Sequence, residues 1–271
     1  MVLFLFLAHL GVGIAFTLVF VSREAGVKFF RFNAGLAAIL IAVALAFLPP
    51  DPWADSSDPI IKAAETGALV ALLGAEAAIV GYWATVGRRF AAVRPLLVSV
   101  GVGGGVVAIV LQAVVASAGR SAPMVVLTIA SFLSSAALLG GTCTAMILGH
   151  WYLILPSMQV SHLQAIAKLH IASLVIRIVV VAAAVFFAIV TWQPGMGPSF
   201  RYYIMSLSGI FFWQRVLFGL AGPAFLSYLT WETAKIRSTQ SATGILYVDF
   251  FTVVVGEVLA KYLLLATRVT V

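Results

Sequence analysis

Apolar runs long enough to cross a lipid bilayer fill most of this chain. A transmembrane helix needs about 20 consecutive apolar residues, with a usual range of about 17–25. Eight stretches meet that requirement, at approximately 1–21, 32–49, 63–86, 95–117, 122–155, 166–191, 203–230 and 244–266. The pattern predicts a protein that crosses the membrane about eight times. The first run has no basic segment before it and no small-residue cleavage site, so we expect it to be a retained span.

The composition indicates the same class. Hydrophobic residues make up 63% of the 271 residues and charged residues 9%, whereas a soluble domain has about 25% charged residues. Lipid offers the backbone no hydrogen-bond partners, and the alternation typical of a barrel is missing, so each run should be a helix. The predicted fold is an all-α integral membrane protein, with one polytopic domain spanning 1–271.

The distribution of basic residues predicts the orientation. The net charge of +7 comes mostly from short connections between the runs, so it does not indicate nucleic-acid binding. The connections after the odd-numbered runs hold nine lysines and arginines, and the opposite side holds four: Arg23, Lys28, Arg31, Arg88, Arg89, Arg94, Lys168, Lys235 and Arg237 against Lys62, Arg120, Arg201 and Arg268. Because cytoplasmic loops carry the excess of basic residues, both termini should face outward from a cytoplasmic (inner) membrane.

The stretch from Gly140 to Arg177 contains the strongest candidates for chemistry. His150 lies near the end of one run and His170 near the start of the next. We therefore expect both imidazoles at a similar depth, close to the cytoplasmic surface. Arg177 shares a helical face with His170 and lies about 10 Å further along the helix axis. His150, His170 and Arg177 are the predicted catalytic residues.

Three interpretations of the histidines stay open. Facing imidazoles of His150 and His170 are typical ligands of a b-type haem, which would make them metal ligands. A quinone site needs a polar donor near the membrane surface, an acid and aromatic walls, and His150, Trp151, Tyr152 and His170 offer these. The third interpretation is structural: both rings lie at the interface and bind the backbone.

Ionisable residues inside the runs are the second set of candidates. A charge at mid-bilayer costs about 2.5–3.5 kcal/mol on insertion scales, so such residues usually face other helices and have partners. Seven fall within the runs: Glu65, Glu76, Arg177, Arg215, Asp249, Glu257 and Lys261. We expect Arg177 and Arg215 to pair with Glu76, Asp249 or Glu257, and Glu257 to pair with Lys261 four residues on. Arg215, Asp249 and Glu257 join the predicted cofactor-binding residues. These charges are either structural pairs or a proton or substrate path.

Small residues cluster in three segments: VGVGGGVV at 100–107, ASFLSS at 130–135 and GGTCTA at 140–145. Small side chains let helix backbones approach closely in lipid, so these segments predict tight helix packing.

The segment GILYVDFFTVVVGEVLAKYLLL at 244–265, with Gly256-Glu257 followed by Lys261, resembles the last span of the dimethyl-sulfoxide-reductase membrane-anchor family. The resemblance implies an eight-span anchor that passes quinol electrons to a peripheral iron–sulfur subunit and holds no haem. It assigns a role only to Glu257 and Lys261.

These observations predict a membrane subunit of a respiratory or photosynthetic electron-transfer complex, which exchanges electrons and protons with a membrane quinone. Such a subunit is either non-catalytic or quinone-reactive within an oxidoreductase complex. The one cysteine, Cys143, excludes an intrachain disulfide and a thiolate-held cluster, so electrons must pass to other subunits. The alternatives are a haem b-binding cytochrome subunit and a non-redox transporter or structural scaffold subunit. The expected partners are the lipid bilayer, other subunits and the quinone.

Overall fold

The computed structural model describes residues 1–48, 58–88, 90–154, 160–192, 199–236 and 238–271. All regular elements of this part of the chain are helical, which confirms the predicted class. The helices are α1 Val2–Thr17, α2 Gly26–Ala46, α3 Pro59–Thr85, α4 Arg94–Ala116, α5 Ala122–Ile154, α6 Val160–Val190, α7 Phe200–Met205, α8 Ile210–Val216, α9 Gly222–Lys235 and α10 Thr239–Thr267. Residues 49–57 and 193–198 of the predicted turns, and residues 156–159 of the 156–166 connection, lie outside the described residues.

Seven helical segments of the described chain are long and apolar enough to cross a membrane. They correspond to the second to eighth predicted runs, so the chain has the architecture of a multi-pass membrane protein. The first run forms α1, a shorter apolar helix of 16 residues. The count of eight spans and the outward orientation of both termini therefore stay predictions.

Local sequence explains several helix ends. Asp58 precedes α3, and its carboxylate accepts a hydrogen bond from the backbone N–H of Ile60 at 2.8 Å, while Pro59 occupies the first helical position. At the other end of the chain, Arg268 adopts a left-handed conformation and terminates α10. The residues that follow fold back against the bundle, and Val271 is 1% exposed.

The bundle places apolar side chains on its surface and polar side chains in its interior. Ile39, Val126, Phe186 and other large apolar residues are more than half exposed, as expected for side chains that face lipid. The two largest fully buried side chains are Arg177 and Arg215. A soluble protein of this size would show the opposite arrangement, so the distribution supports a bilayer environment.

Glycine lets α1 and α5 pack with their backbones in contact. A Cβ atom at Gly13 would overlap the carbonyl oxygen of Ala136, and one at Gly140 would overlap the main chain of Gly13. The predicted packing role of the 140–145 segment is confirmed at Gly140. Through this contact α1 is held against α5, the helix that carries part of the polar site.

The seventh membrane segment is not one continuous α-helix. A turn of π-helix over Leu217–Ala221 separates α8 from α9. Pro223 follows this turn, and its missing N–H removes a backbone bond to the preceding turn. The interruption directly follows α8, which carries the buried Arg215.

Candidate functional site

Polar side chains from α5, α6 and α10 meet inside the bundle. On α5 they are Ser131, Ser135 and Thr142, whose spacings of four and seven place them on one helical face. Helix α6 contributes His170 and Arg177, seven residues apart, and α10 contributes Asp249, Glu257 and Lys261. All eight side chains are buried. We call this set the polar track.

The first layer of the track is built around His170. The hydroxyl of Thr142 donates to the carbonyl oxygen of Leu138 at 2.7 Å. Its single proton is therefore used, and its oxygen must accept from Nδ1 of His170, which lies 3.0 Å away. The geometry thus assigns a proton to Nδ1 of His170.

Asp249 lies on the other side of the same imidazole. Its Oδ2 is 2.7 Å from Nε2 of His170, and the two residues are 0% and 1% exposed. The contact is short, but it does not have the geometry of a regular hydrogen bond. It is an ion pair when the imidazole is protonated. A contact this short requires one proton between the two groups, carried either by the imidazole or by the carboxyl group. In both forms the pair is neutral overall, which suits a buried site.

The second layer is organised around the carboxylate of Glu257. Arg177 approaches it through two nitrogens, with Nε at 2.9 Å from Oε1 and Nη2 at 3.1 Å from Oε2. Nη2 of Arg215 donates to Oε1 at 2.7 Å, and Ser135 donates to Oε2 at 2.5 Å. Four donors therefore saturate the carboxylate. Bidentate contact of this kind fixes orientation as well as charge.

The remaining donors of Arg177 are also used. Nη1 donates to the carbonyl and the hydroxyl oxygen of Ser131, at 3.0 and 2.7 Å. Nη2 donates in addition to the main-chain oxygen of Val271 at 3.2 Å. Arg177 thus joins α5, α6, α10 and the segment after α10, which is a bracing role.

Lys261 continues the track toward α1. Its Nζ donates to the hydroxyl oxygen of Ser135 at 2.9 Å and lies 2.8 Å from Nδ1 of His9. The predicted direct pair of Glu257 and Lys261 is replaced within the described chain by a bridge through Ser135. The ammonium also lies 4.8 Å from the ring centroid of Phe132, a cation–π contact.

Two glycines give Arg215 its position. A Cβ atom at Gly256 would overlap Gly219, and one at Gly219 would overlap the guanidinium of Arg215. The backbones of α10 and the π turn therefore touch, with the guanidinium packed beside them. Any larger residue at either glycine would push the arginine away from Glu257.

His150 lies at the exposed end of α5 and contacts α10 separately. Its Nδ1 is 3.2 Å from the hydroxyl oxygen of Tyr247. Along α5, His150 is eight residues from Thr142, which is about 12 Å at 1.5 Å per residue. Because Thr142 contacts His170, the two histidines occupy different depths. The similar depth expected from the sequence is wrong, since α6 begins at Val160 and places His170 in its third turn.

The predicted aromatic neighbours of His150 face elsewhere. The ring of Trp151 packs edge-on against Phe29 of α2, with centroids 5.8 Å apart. Tyr152 is 4% exposed and belongs to the hydrophobic core. Adjacent residues on a helix point in directions about 100° apart, so neither extends the contact surface of His150 and Tyr247. The aromatic neighbour of His150 is Tyr247 of α10, where we expected Trp151 and Tyr152.

The structure therefore divides the predicted site residues into two groups. His170, Arg177, Asp249 and Glu257 belong to the polar track, and Arg215 of α8 joins it through Glu257. The pairing of both arginines with Glu257 confirms one expectation. His150, Trp151 and Tyr152 lie outside it. Sequence reasoning missed Ser131, Ser135, Thr142 and His9. The serines and the threonine fall at one helical face of α5, and that periodicity was the available signal.

Glu65 and Glu76 lie on α3, away from these contacts. Both side chains are half-buried, and Oε2 of Glu76 has no hydrogen-bond partner among the described residues. Neither residue pairs with Arg177 or Arg215.

Comparison with known proteins gives no relative for this chain. No family model, curated protein or solved structure matches it. The functional interpretation therefore depends on the geometry of the site.

Proposed function

We propose that this protein is a membrane subunit of an electron-transfer complex of the cytoplasmic membrane, and that the polar track carries protons exchanged with a membrane quinone. The observation that supports the proposal is the track itself. Ionisable groups inside a membrane domain are costly, and they commonly mark proton or substrate paths. Here they form a row along three packed helices.

The polar track and the separate pair of His150 and Tyr247 together extend over a distance close to that of the membrane core. On α5 the track covers Thr142 to Ser131, 11 residues or about 16 Å at 1.5 Å per residue, and His150 lies eight residues, about 12 Å, beyond Thr142. The hydrocarbon core of a bilayer is about 30 Å thick. The exposed pair of His150 and Tyr247 marks one end, and Lys261 with His9 lies toward the other.

His170 and Asp249 have the chemistry of a proton-storage site. The imidazole of His170 can take up or release a proton through either ring nitrogen. The carboxyl group beside it can hold the same proton, so the pair can receive or release one proton with little rearrangement. Glu257 is different, because its carboxylate already pairs with both Arg177 and Arg215.

The two layers are separated along the helices. Asp249 and Glu257 are eight residues apart, about 12 Å along the axis of α10. A proton crossing that distance requires water molecules or side-chain motion between the layers. In this proposal His170 and Asp249 store the proton. Arg177 and Arg215 hold the helices together through Glu257 and supply positive charge.

The exposed end of the row is where a quinone would bind. Both His150 and Tyr247 present polar atoms there, and a quinone ring accepts hydrogen bonds through its carbonyl oxygens. A bound quinone supplies reversible two-electron, two-proton chemistry. In this proposal the electrons come from another subunit of the assembly. The resemblance of α10 to quinol-reactive anchors points the same way.

The donor set does not fit a haem between His150 and His170. Both ring nitrogens of His170 contact other side chains, and Nδ1 of His150 contacts Tyr247. The two rings also lie at different depths. We therefore assign no step to a haem. Absorption spectra of the purified protein, oxidised and dithionite-reduced, test this directly, and a haem band would contradict the assignment.

The decisive experiment uses the intact assembly. The chain would be tagged and isolated from its native membranes with its partners, and oxidation of decylubiquinol would be followed with a dye acceptor. Asp249→Asn and His170→Gln should lower turnover at least tenfold, because each variant removes one of the two groups between which the proton is shared. Ser173→Ala is the matched control. Ser173 is buried on α6, and its one hydrogen bond within the described part of the chain goes to the carbonyl oxygen of His170 at 2.8 Å.

Two results would refute the proposal. One is wild-type turnover in both variants when they assemble normally. The other is an isolated assembly with no quinol oxidation at all.

The interrupted seventh segment supports a second candidate, a proton-coupled anion transporter. Transporters place binding sites at broken helices near mid-membrane, and Arg215 precedes the π turn directly. Vesicles containing only this chain and a pH-sensitive dye distinguish the candidates. Proton movement driven by a chloride or phosphate gradient, without quinone or partners, would favour transport.

A further inference from the structure

A second site lies at one end of the bundle, away from the polar track. A cleft of about 500 Å³ opens between the end of α1, the start of α2, the end of α3 and the start of α4. This volume falls within the range of about 300–1,000 Å³ that is usual for small-molecule sites. Its polar lining consists of Arg23, Tyr82, Arg94 and Ser99, and its other walls are mainly apolar.

The polar and apolar parts of the cleft are arranged as an amphiphile would require. Arg23 and Arg94 lie at the beginnings of apolar membrane segments, where a lipid headgroup would be. Phe30 lies seven residues after Arg23 and Val98 lies four residues after Arg94, both toward the bilayer interior. A charged group at the arginines would therefore have its attached hydrocarbon next to apolar side chains.

The guanidinium of Arg94 is held in place by two hydrogen bonds and keeps further N–H groups that can donate to a ligand. Its Nε donates to the carbonyl oxygen of Thr85 at 3.0 Å, and Nη2 donates to the carbonyl oxygen of Arg88. These bonds fasten the guanidinium to the end of α3 and use two of its five N–H donors. The remaining donors can bind oxygen atoms of an anion without reorganising the side chain.

The surrounding sequence is strongly cationic. Residues 23–31 and 82–94 contain six lysines and arginines, and Glu24 is the one acidic residue among them. A neutral headgroup such as a quinone gains little from this field, whereas a phosphate gains from charge and from planar guanidinium contacts. Charge complementarity therefore selects the ligand.

We propose that this cleft binds the phosphate of an anionic phospholipid, with Arg23 and Arg94 as its cationic contacts and the apolar walls around the first part of the acyl chains. The site is independent of the proposed quinone function. A lipid held there would bridge the ends of four helices, and it would stay with the protein through purification.

Native mass spectrometry of the full chain in a non-ionic detergent tests the proposal. Dioleoyl-phosphatidylglycerol should bind at least tenfold more tightly than phosphatidylcholine with the same acyl chains. Arg23→Gln should reduce phosphatidylglycerol binding at least tenfold. Val98→Trp should do the same by filling the cleft without a change of charge. Lys28→Gln is the control, because Lys28 is exposed, belongs to the same cationic region and does not line the cleft.

A competition arm separates a lipid from a free phosphate. Glycerol 3-phosphate in large excess should leave the bound phosphatidylglycerol in place, because it lacks the hydrocarbon that the apolar walls contact. Displacement at equal concentration would assign the cleft to a soluble phosphate instead. Unchanged phosphatidylglycerol binding in both Arg23→Gln and Val98→Trp, or equal binding of phosphatidylcholine, would overturn the proposal.

Discussion

Glu257 shows how a single buried charge holds several helices at once. Its carboxylate accepts bonds from Arg177, Arg215 and Ser135, and it is 0% exposed. Replacing Glu257 by Gln keeps the size but leaves two guanidinium groups without an anion. Breaking a buried ion pair in this way costs about 3–5 kcal/mol. We expect a large drop in the thermal unfolding midpoint of the purified protein.

Glu65→Gln is the control for that variant. Glu65 is a half-buried carboxylate on α3 and has no part in the polar track, so the change should alter stability by about 0.5 kcal/mol or less. An unfolding midpoint of Glu257→Gln equal to that of the unmodified protein would show that the arginines are neutralised by other groups.

Thr142 provides a second test at the level of one atom. Its oxygen is the acceptor for Nδ1 of His170, so Thr142→Val leaves that buried N–H without a partner while keeping the shape. An unsatisfied buried donor costs about 1–3 kcal/mol. Thr142→Ser restores the hydroxyl and should recover both stability and quinol-linked turnover. Equal behaviour of the valine and serine variants would mean that the imidazole does not depend on this contact.

The helices meet where glycine allows their backbones to touch, and this sets their relative rotation. Gly140→Ala would place a methyl group against the main chain of Gly13. Inserting an extra carbon into such a contact typically costs about 1–3 kcal/mol. We expect a lower unfolding midpoint, and also weaker function, because α1 carries His9 and α5 carries three residues of the track.

Gly103→Ala on α4 is the matched control. A Cβ atom at Gly103 would have no heavy atom within 4 Å, so the same chemical change should be neutral or slightly stabilising, by up to about 1 kcal/mol. A similar loss in both variants would indicate that the effect comes from helix propensity and not from the contact between α1 and α5.

For the molecule as a whole, the charge bias makes a prediction about orientation. Ser241, at the start of α10, should face the cytoplasm, and Ser121, before α5, should face outward. Both serines are exposed, whereas the chain's one cysteine, Cys143, is 2% exposed. A cysteine introduced at position 241 or 121 can therefore be labelled with little reaction at Cys143. In intact cells an impermeant maleimide should react at position 121 and not at 241. The reverse labelling would invert the topology.

The sequence by itself determined the class of the protein and the approximate position of most helices. Apolar length is a local property, because each segment that enters a bilayer must satisfy its own backbone bonds. The same argument predicted that the buried arginines need acidic partners, since an unpaired guanidinium in the membrane core is too costly. Arg215 and Glu257, on neighbouring segments of the chain, meet as expected.

Only the tertiary structure decided which polar groups meet. His150 and His170 look equivalent in sequence, yet α6 begins early enough to carry His170 about 15 Å into the helix. Ser135 and Thr142 were assigned to packing, yet their hydroxyls also connect charged groups of other helices. Contacts of this kind depend on the rotation and axial shift of each helix. Those are set by close backbone contacts, such as Gly13 with Gly140 and Gly219 with Gly256, between residues far apart in the chain.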